Sequence, residues 1–388
     1  MHPILARIQA HADELTAIRR DLHAHPELGF QEVRTSGVVA DALASYGIEV
    51  HRGLGRTGVV GILRGEADGK RRIGLRADMD ALPITEAADL PWRSTVPGVM
   101  HACGHDGHTA MLLGAARCLS ETRDFAGQVA FIFQPAEEGL GGARAMIADG
   151  LFERFPCDEL YGLHNDPTGP RGHIGLRSGE AMAGADFFDI RIQGRGSHGA
   201  HPHQARDPIV IAVTLAQAMQ TIVSRNVHPI KTAVVSITRI EAGSAYNVVP
   251  ETAHLAGTLR AFDDGVRALM RARIKELAAG IGAAFEARID VDIRDVFSVL
   301  SNAPEQARAM ADAARDLFGD AHVDDAAEPK MGSEDFADML KSAPGAYAWL
   351  GMDPGPGVHN PAYRFDDAVL PLGAALLASV AQDRLKAA

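Results

Sequence analysis

Cysteine is nearly missing from this chain: 388 residues contain three, at positions 103, 118 and 157. So sparse and odd a set excludes a disulfide framework as the source of stability, and Cys118 and Cys157 read as buried apolar fillers. Basic charge is also in deficit, with 38 Lys and Arg against 50 Asp and Glu and a formal net charge of -12. That balance disfavours a nucleic-acid or anionic-membrane surface, since phosphate binding normally needs a basic footprint. No long uninterrupted apolar run opens the chain. The stretch MHPILARIQAHADELTAIRRDLHAHPELGF mixes charges among its apolar residues, so it reads as neither signal peptide nor membrane span, and a cytoplasmic location is expected. Internal repeats and long low-complexity linkers are absent too. Apolar content of 46% and charged content of 23% are ordinary for globular protein.

What is present is an α/β rhythm followed by a different one. A length of 388 residues favours two domains. A helix is expected from about His2 to Leu22, another from Val33 to Tyr46, and strands at 59–65 and 71–78. The apolar runs at 128–138 and 159–165 end in chemically capable residues, so Asp78, Glu137, Glu138 and His164 fall at strand ends, where ligands of α/β sheets gather. From about Ala183 the order becomes β-α-β-β-α-β, the split arrangement of a ferredoxin-like domain. This predicts an inserted domain over 182–296, with hinges helped by Gly179 and Gly184, inside a discontinuous domain of 1–181 and 297–388.

The densest chemistry is HACGHDGH at 101–108. Cys103 and His105 are two residues apart; in an extended segment they share a face and converge as thiolate and imidazole, ligands suited to zinc and its first-row neighbours. Asp106 is the expected N-cap of the following helix. With Glu138, His164 and His359 they can complete a two-metal site, His101 and His108 being second choices. A Glu-Glu doublet alone is usually a solvated pair. After the apolar FIFQPA, however, adjacent carboxylates leaving a strand extended would point apart, Glu138 toward metal and Glu137 free as a base. His23, His25, His51, His228 and His322 read as structural or surface residues.

The segments RRDLHAHPELGFQE, LRADMDALPITE, MHACGHDGHTA, FIFQPAEEG, GLHN, GRGSHGAHPH, YNVVP, GTLRAF, MGSEDF and VHNP occur in this order. Together they resemble the aminoacylase and carboxypeptidase G family of metal-dependent amidohydrolases, in particular its branch of hippurate hydrolase, the auxin-conjugate (IAA-amino acid) hydrolases and N-acetyldiaminopimelate deacetylase. The resemblance implies a zinc-peptidase-like catalytic domain, a mixed sheet flanked by helices, with the insertion as lid and dimerisation module. It implies two divalent ions, Mn, Zn, Co or Ni, on Cys103, His105, Glu138, His164 and His359, with Glu137 as general base and acid. Asp78 would orient a ligand, His198 would polarise the scissile carbonyl, and Asn247 and Arg260 would hold a substrate carboxylate. One departure stands out: the aminoacylase branch has a His-x-Asp motif where this chain reads Arg76-Ala77-Asp78.

The reaction so implied is hydrolysis of the amide of an N-acyl amino acid by a homodimer or higher homo-oligomer. A dipeptidase or exopeptidase with the same metals is the near alternative. A non-catalytic protein binding an effector or nucleic acid is the distant one, disfavoured by the acidic charge and the intact set of ligands.

Overall fold

A computed structural model describes residues 2–386. The chain divides into two compact units, one of residues 1–181, 301–329 and 335–388, the other of 182–300 and 330–334.

The larger unit is built on an eight-stranded mixed sheet. Its four central strands, Ala126–Gln134, Ala67–Asp78, Glu159–Asp166 and Gly345–Gly351, are neighbours in that order and mutually parallel. Strands buried on both faces need continuous apolar sequence rather than alternation, as VAFIF and AYAWL provide. Phe131, Phe133, Tyr161 and Tyr347 are fully buried there. Helix His105–Thr122 packs against Leu370–Arg384, Ala12–Ala24 and the strand ending at Asp78. The α/β class with a mixed, helix-flanked sheet is thus the one expected.

The N-terminal helix is two helices, Pro3–Gln9 and Ala12–Ala24, broken at His11. The halves pack on different partners, the first on Leu370–Arg384 and the second mainly on His105–Thr122.

The smaller unit holds a four-stranded antiparallel sheet, ordered Ala233–Ala242, Thr252–Ala261, Gly184–Gln193, Arg288–Phe297. Numbered along the chain, this is the ferredoxin-like order 2-3-1-4. Helices Pro208–Thr221 and Asp264–Phe285 supply Ile211, Leu215, Met219, Met270 and Ile274 to its core. Residues 208–226 are long and apolar enough by composition to cross a membrane, but their buried face belongs to that core. Gly184 opens a strand opposite Ala261, and a Cβ there would meet Arg267 at 2.8 Å.

Candidate metal centre and substrate residues

The carboxyl ends of the parallel strands collect the donors. Cys103 and His105 do not sit on an extended segment. Gly104 between them adopts φ 93° and is itself the N-cap of helix His105–Thr122, so a left-handed turn aims both side chains at one place. Glycine is required there twice over, since a Cβ would also meet Asn165 Oδ1 at 2.2 Å. Asp106 is accordingly not the N-cap. Its buried carboxylate takes His23 Nδ1 at 2.9 Å and Arg19 Nη1 at 3.4 Å.

Glu137 and Glu138 also leave their strand differently from the extended path. The strand ends at Gln134, Ala136 turns with φ 54°, and the doublet lies in the turn that follows. Buried Glu32 stabilises this turn by accepting the Ala136 N–H at 2.8 Å and the Thr57 hydroxyl at 2.6 Å. His359, at φ 64°, is tied to the cysteine segment by its N–H, which donates to Ala102 O at 2.7 Å.

The result is two overlapping triads of donor atoms, Cys103 with His105 and His164, and Cys103 with Glu138 and His359, each within 4.8 Å. A further group joins His105, Glu137 and Glu138. Two atoms test whether these residues suit a cation. His105 Nε2 and Glu138 Oε1 are both buried without a hydrogen-bond partner, 4.0 Å apart. His359 Nε2 comes within 3.1 Å of the same Glu138 oxygen. Buried orphan nitrogen and oxygen beside a thiol form a donor set that a divalent transition ion satisfies.

His359 is pushed up to about 10 by the Cys103 thiol and the Glu138 carboxylate. Burial is the largest single influence and opposes charge on both His105 and Asp78. Their attraction for each other, together with Cys103 and Asp80 around His105 and Arg76 and His108 around Asp78, outweighs it and holds His105 well above and Asp78 well below their usual ranges. Burial, with the Glu138 charge second, pushes the Cys103 thiol up, and burial is the main cause of lowering His164.

Sequence reasoning missed Asp80. Its Oδ1 lies 3.1 Å from His105 Nδ1, and its Oδ2 accepts the Glu138 N–H at 3.0 Å. Asp78 instead takes His108 Nδ1 at 2.6 Å and Arg76 Nη1 at 2.8 Å, standing 3.7 Å from His105 Nε2. The D-x-D spacing of Asp78 and Asp80 was the available signal, because alternate residues leaving a strand share a face. His108 joins a donor group with Asp78 and His105, but both its ring nitrogens already have partners in Asp78 and Asn165. His101 is fully buried, belongs to no donor group among the described residues, and is lowered to about 4 chiefly by burial.

In the smaller unit His198 and Asn247 are neighbours. His198 pairs with Val248 in a two-stranded ribbon, and the Gly199 N–H donates to Asn247 O at 2.7 Å; both residues are exposed. The Ala200 N–H donates to His198 Nδ1 at 3.1 Å, so the neutral ring carries its proton on Nε2. Arg260 donates to Met331 O at 2.8 Å and Ser333 Oγ at 3.2 Å. It has no carboxylate partner among the described residues, and burial lowers its pKa.

A sheet gathering thiol, imidazole and carboxylate at its carboxyl ends, with a ferredoxin-like insertion, defines the class of metal-site hydrolases. Residues 74–383 match the model of peptidase family M20/M25/M40, and the chain belongs to that family. It is 43% identical over 373 residues to the hippurate hydrolase of Campylobacter jejuni, covering 96% of this chain and 97% of the relative. The crystal structure of a putative aminohydrolase from methicillin-resistant Staphylococcus aureus superposes with TM-score 0.90 at 33% identity, over 99% of each chain. The Bacillus subtilis YXEP protein, a dinuclear metal binding peptidase from the M20 family, does so with TM-score 0.83 at 36% identity, over 97% of this chain and 99% of that one. The chain is an amide-bond hydrolase of this family.

Proposed function

We propose that the protein cleaves the amide bond of N-acyl amino acids, releasing a carboxylic acid and a free amino acid. The observation that carries the reading is the pair of donor triads sharing Cys103 with buried Glu137 beside them. Hippurate is itself an N-acyl amino acid, and the 43% identical relative hydrolyses it by name.

Cys103, His105, Glu138, His164 and His359 would hold two divalent ions, Mn, Zn, Co or Ni, Cys103 being a member of both donor triads. When bound, such ions polarise a carbonyl and lower the pKa of a water toward ~7. Glu137 takes the proton of the attacking water and delivers it to the amide nitrogen, which departs as an amine rather than as a strongly basic anion. His198 donates a hydrogen bond from Nε2–H to the carbonyl oxygen as charge develops there, keeping its proton. Arg260 meets the substrate carboxylate with a guanidinium that has no carboxylate partner among the described residues, and Asn247 assists. Asp80 fixes His105 and the Glu138 backbone, while Asp78 fixes His108 and Arg76.

The smaller unit acts as lid and dimerisation module. Strand Ala233–Ala242 ends its sheet with one side unpaired, and Ile240 on it is 57% exposed. Helix Pro208–Thr221 exposes Val210 and Val213 by 50% and 55%. An unpaired edge beside an apolar helix face suits a two-fold contact with a second copy. A cytoplasmic setting agrees with three free cysteines and the acidic charge.

The reading is tested by assaying metal-loaded protein on benzoyl-, acetyl- and indoleacetyl-amino acids against a dipeptide panel. Turnover of the acylated substrates supports it. Turnover confined to dipeptides with a free α-amino group makes the protein a dipeptidase.

A further inference from the structure

Glu137 and Glu138 ride on a loop, residues 135–141, that leaves the sheet at Gln134 and enters helix Gly142–Ala148. Both ends of this loop meet at one fully buried carboxylate far along the chain. Asp335 Oδ1 accepts Gln134 Nε2 at 2.6 Å, and its Oδ2 accepts the Ala143 N–H at 3.0 Å. Its backbone N–H donates to Glu137 Oε1 at 3.4 Å. Arg76 reaches Oδ1 with Nη2 at 3.2 Å, while its Nε donates to Gln134 Oε1 at 2.9 Å.

We propose that Asp335 is a positioning residue for the base: its carboxylate closes the loop at both ends, and the closed loop together with the Asp335 backbone N–H sets the direction of the Glu137 carboxylate. The inference rests on Glu137 being the general base. Gln134 Nε2, Ala143 N–H and Arg76 Nη2 are all donors, so an amide in place of the carboxylate turns an N–H toward a donor and opens one side of the loop. The metal-side half of the loop has separate support, because the Glu138 N–H is held by Asp80. Loss of the Asp335 charge therefore misplaces the base without releasing the ligand.

The test is Asp335→Asn, measured with Glu137→Gln for kcat, KM and metal content. Asp335→Asn should lower kcat roughly 10- to 100-fold, the scale of a misplacement of about 1 Å, with KM within about twofold and metal content unchanged. Exchanging the amide and the carboxylate in Gln134→Glu/Asp335→Asn restores a carboxylate–amide pair and should recover most of kcat. A folded, metal-loaded Asp335→Asn with the parent kcat overturns the proposal. So does a folded double variant that stays slow, or failure of both variants to fold, which assigns the contact to stability alone. If Glu137→Gln keeps the parent rate, the base reading itself fails, whatever Asp335→Asn does.

Discussion

Asp80 and His105 are joined at 3.1 Å between Oδ1 and Nδ1, leaving His105 Nε2 buried, orphaned and aimed among Glu138 and Asp78. A carboxylate behind an imidazole fixes the ring's orientation and raises its basicity toward a metal. Asp80→Asn should weaken metal affinity about 10- to 100-fold, the usual cost of losing such a partner. Metal titration of the stripped protein followed by elemental analysis measures it, and unchanged affinity would remove Asp80 from the site.

The adjacent glutamates have different tasks. Glu137→Gln should keep its metal and lose most turnover, whereas Glu138→Gln should chiefly lower metal occupancy. Equal behaviour of the two variants in kinetics and elemental analysis contradicts the division.

His198 should matter to rate and not to metal. His198→Ala should lower kcat about 100- to 1000-fold with metal content intact, as loss of an oxyanion donor does. Mixing His198→Ala and Glu137→Gln subunits asks which chain supplies it. Recovery of activity after verified subunit exchange places His198 across the dimer, and no recovery places it in the same chain.

Stability should fall on the alkaline side because of His23. Burial alone would lower this imidazole, but hydrogen bonds to Asp106 and Glu86 more than reverse that and raise it from 6.5 to about 9. A raised folded pKa gives stability that is complete below about pH 6.5 and is lost as pH climbs through 9. At about 1.4 kcal/mol per pH unit the effect is on the order of 3 kcal/mol. Urea midpoints from pH 6 to 10 should show this decline in the parent and lack it in His23→Gln. An identical decline in both would assign it to another group.

The β-α-β-β-α-β order could be read because alternating patterns in DFFDIRIQ and ARIDVDIR and the intervening helical segments agree locally with the sheet they form. The donors Cys103, His105, Glu138, His164 and His359 could be named because their residue types are chemically restricted and lie near strand ends. How they meet could not, because it depends on left-handed backbone at Gly104, Ala136 and His359, two of them residues that seldom adopt it. Extended geometry was the simplest assumption at 103–105 and 137–138, and it was wrong at both. Asp80 had a local signal in its D-x-D spacing with Asp78, whereas Glu32 and Asp335 escaped notice because a lone buried carboxylate declares itself only through partners 25 to 259 residues away. His23, read as structural, carries a buried ionic network with Asp106 and Glu86 that periodicity does not disclose.

The most direct measurement takes the protein stripped by a chelator, shown metal-free by elemental analysis, and follows hydrolysis of benzoylglycine before and after adding back Mn, Zn, Co or Ni. Five donor residues in two triads sharing Cys103 predict no turnover when stripped and full recovery at two ions per chain. Full turnover by the metal-free protein would contradict the account.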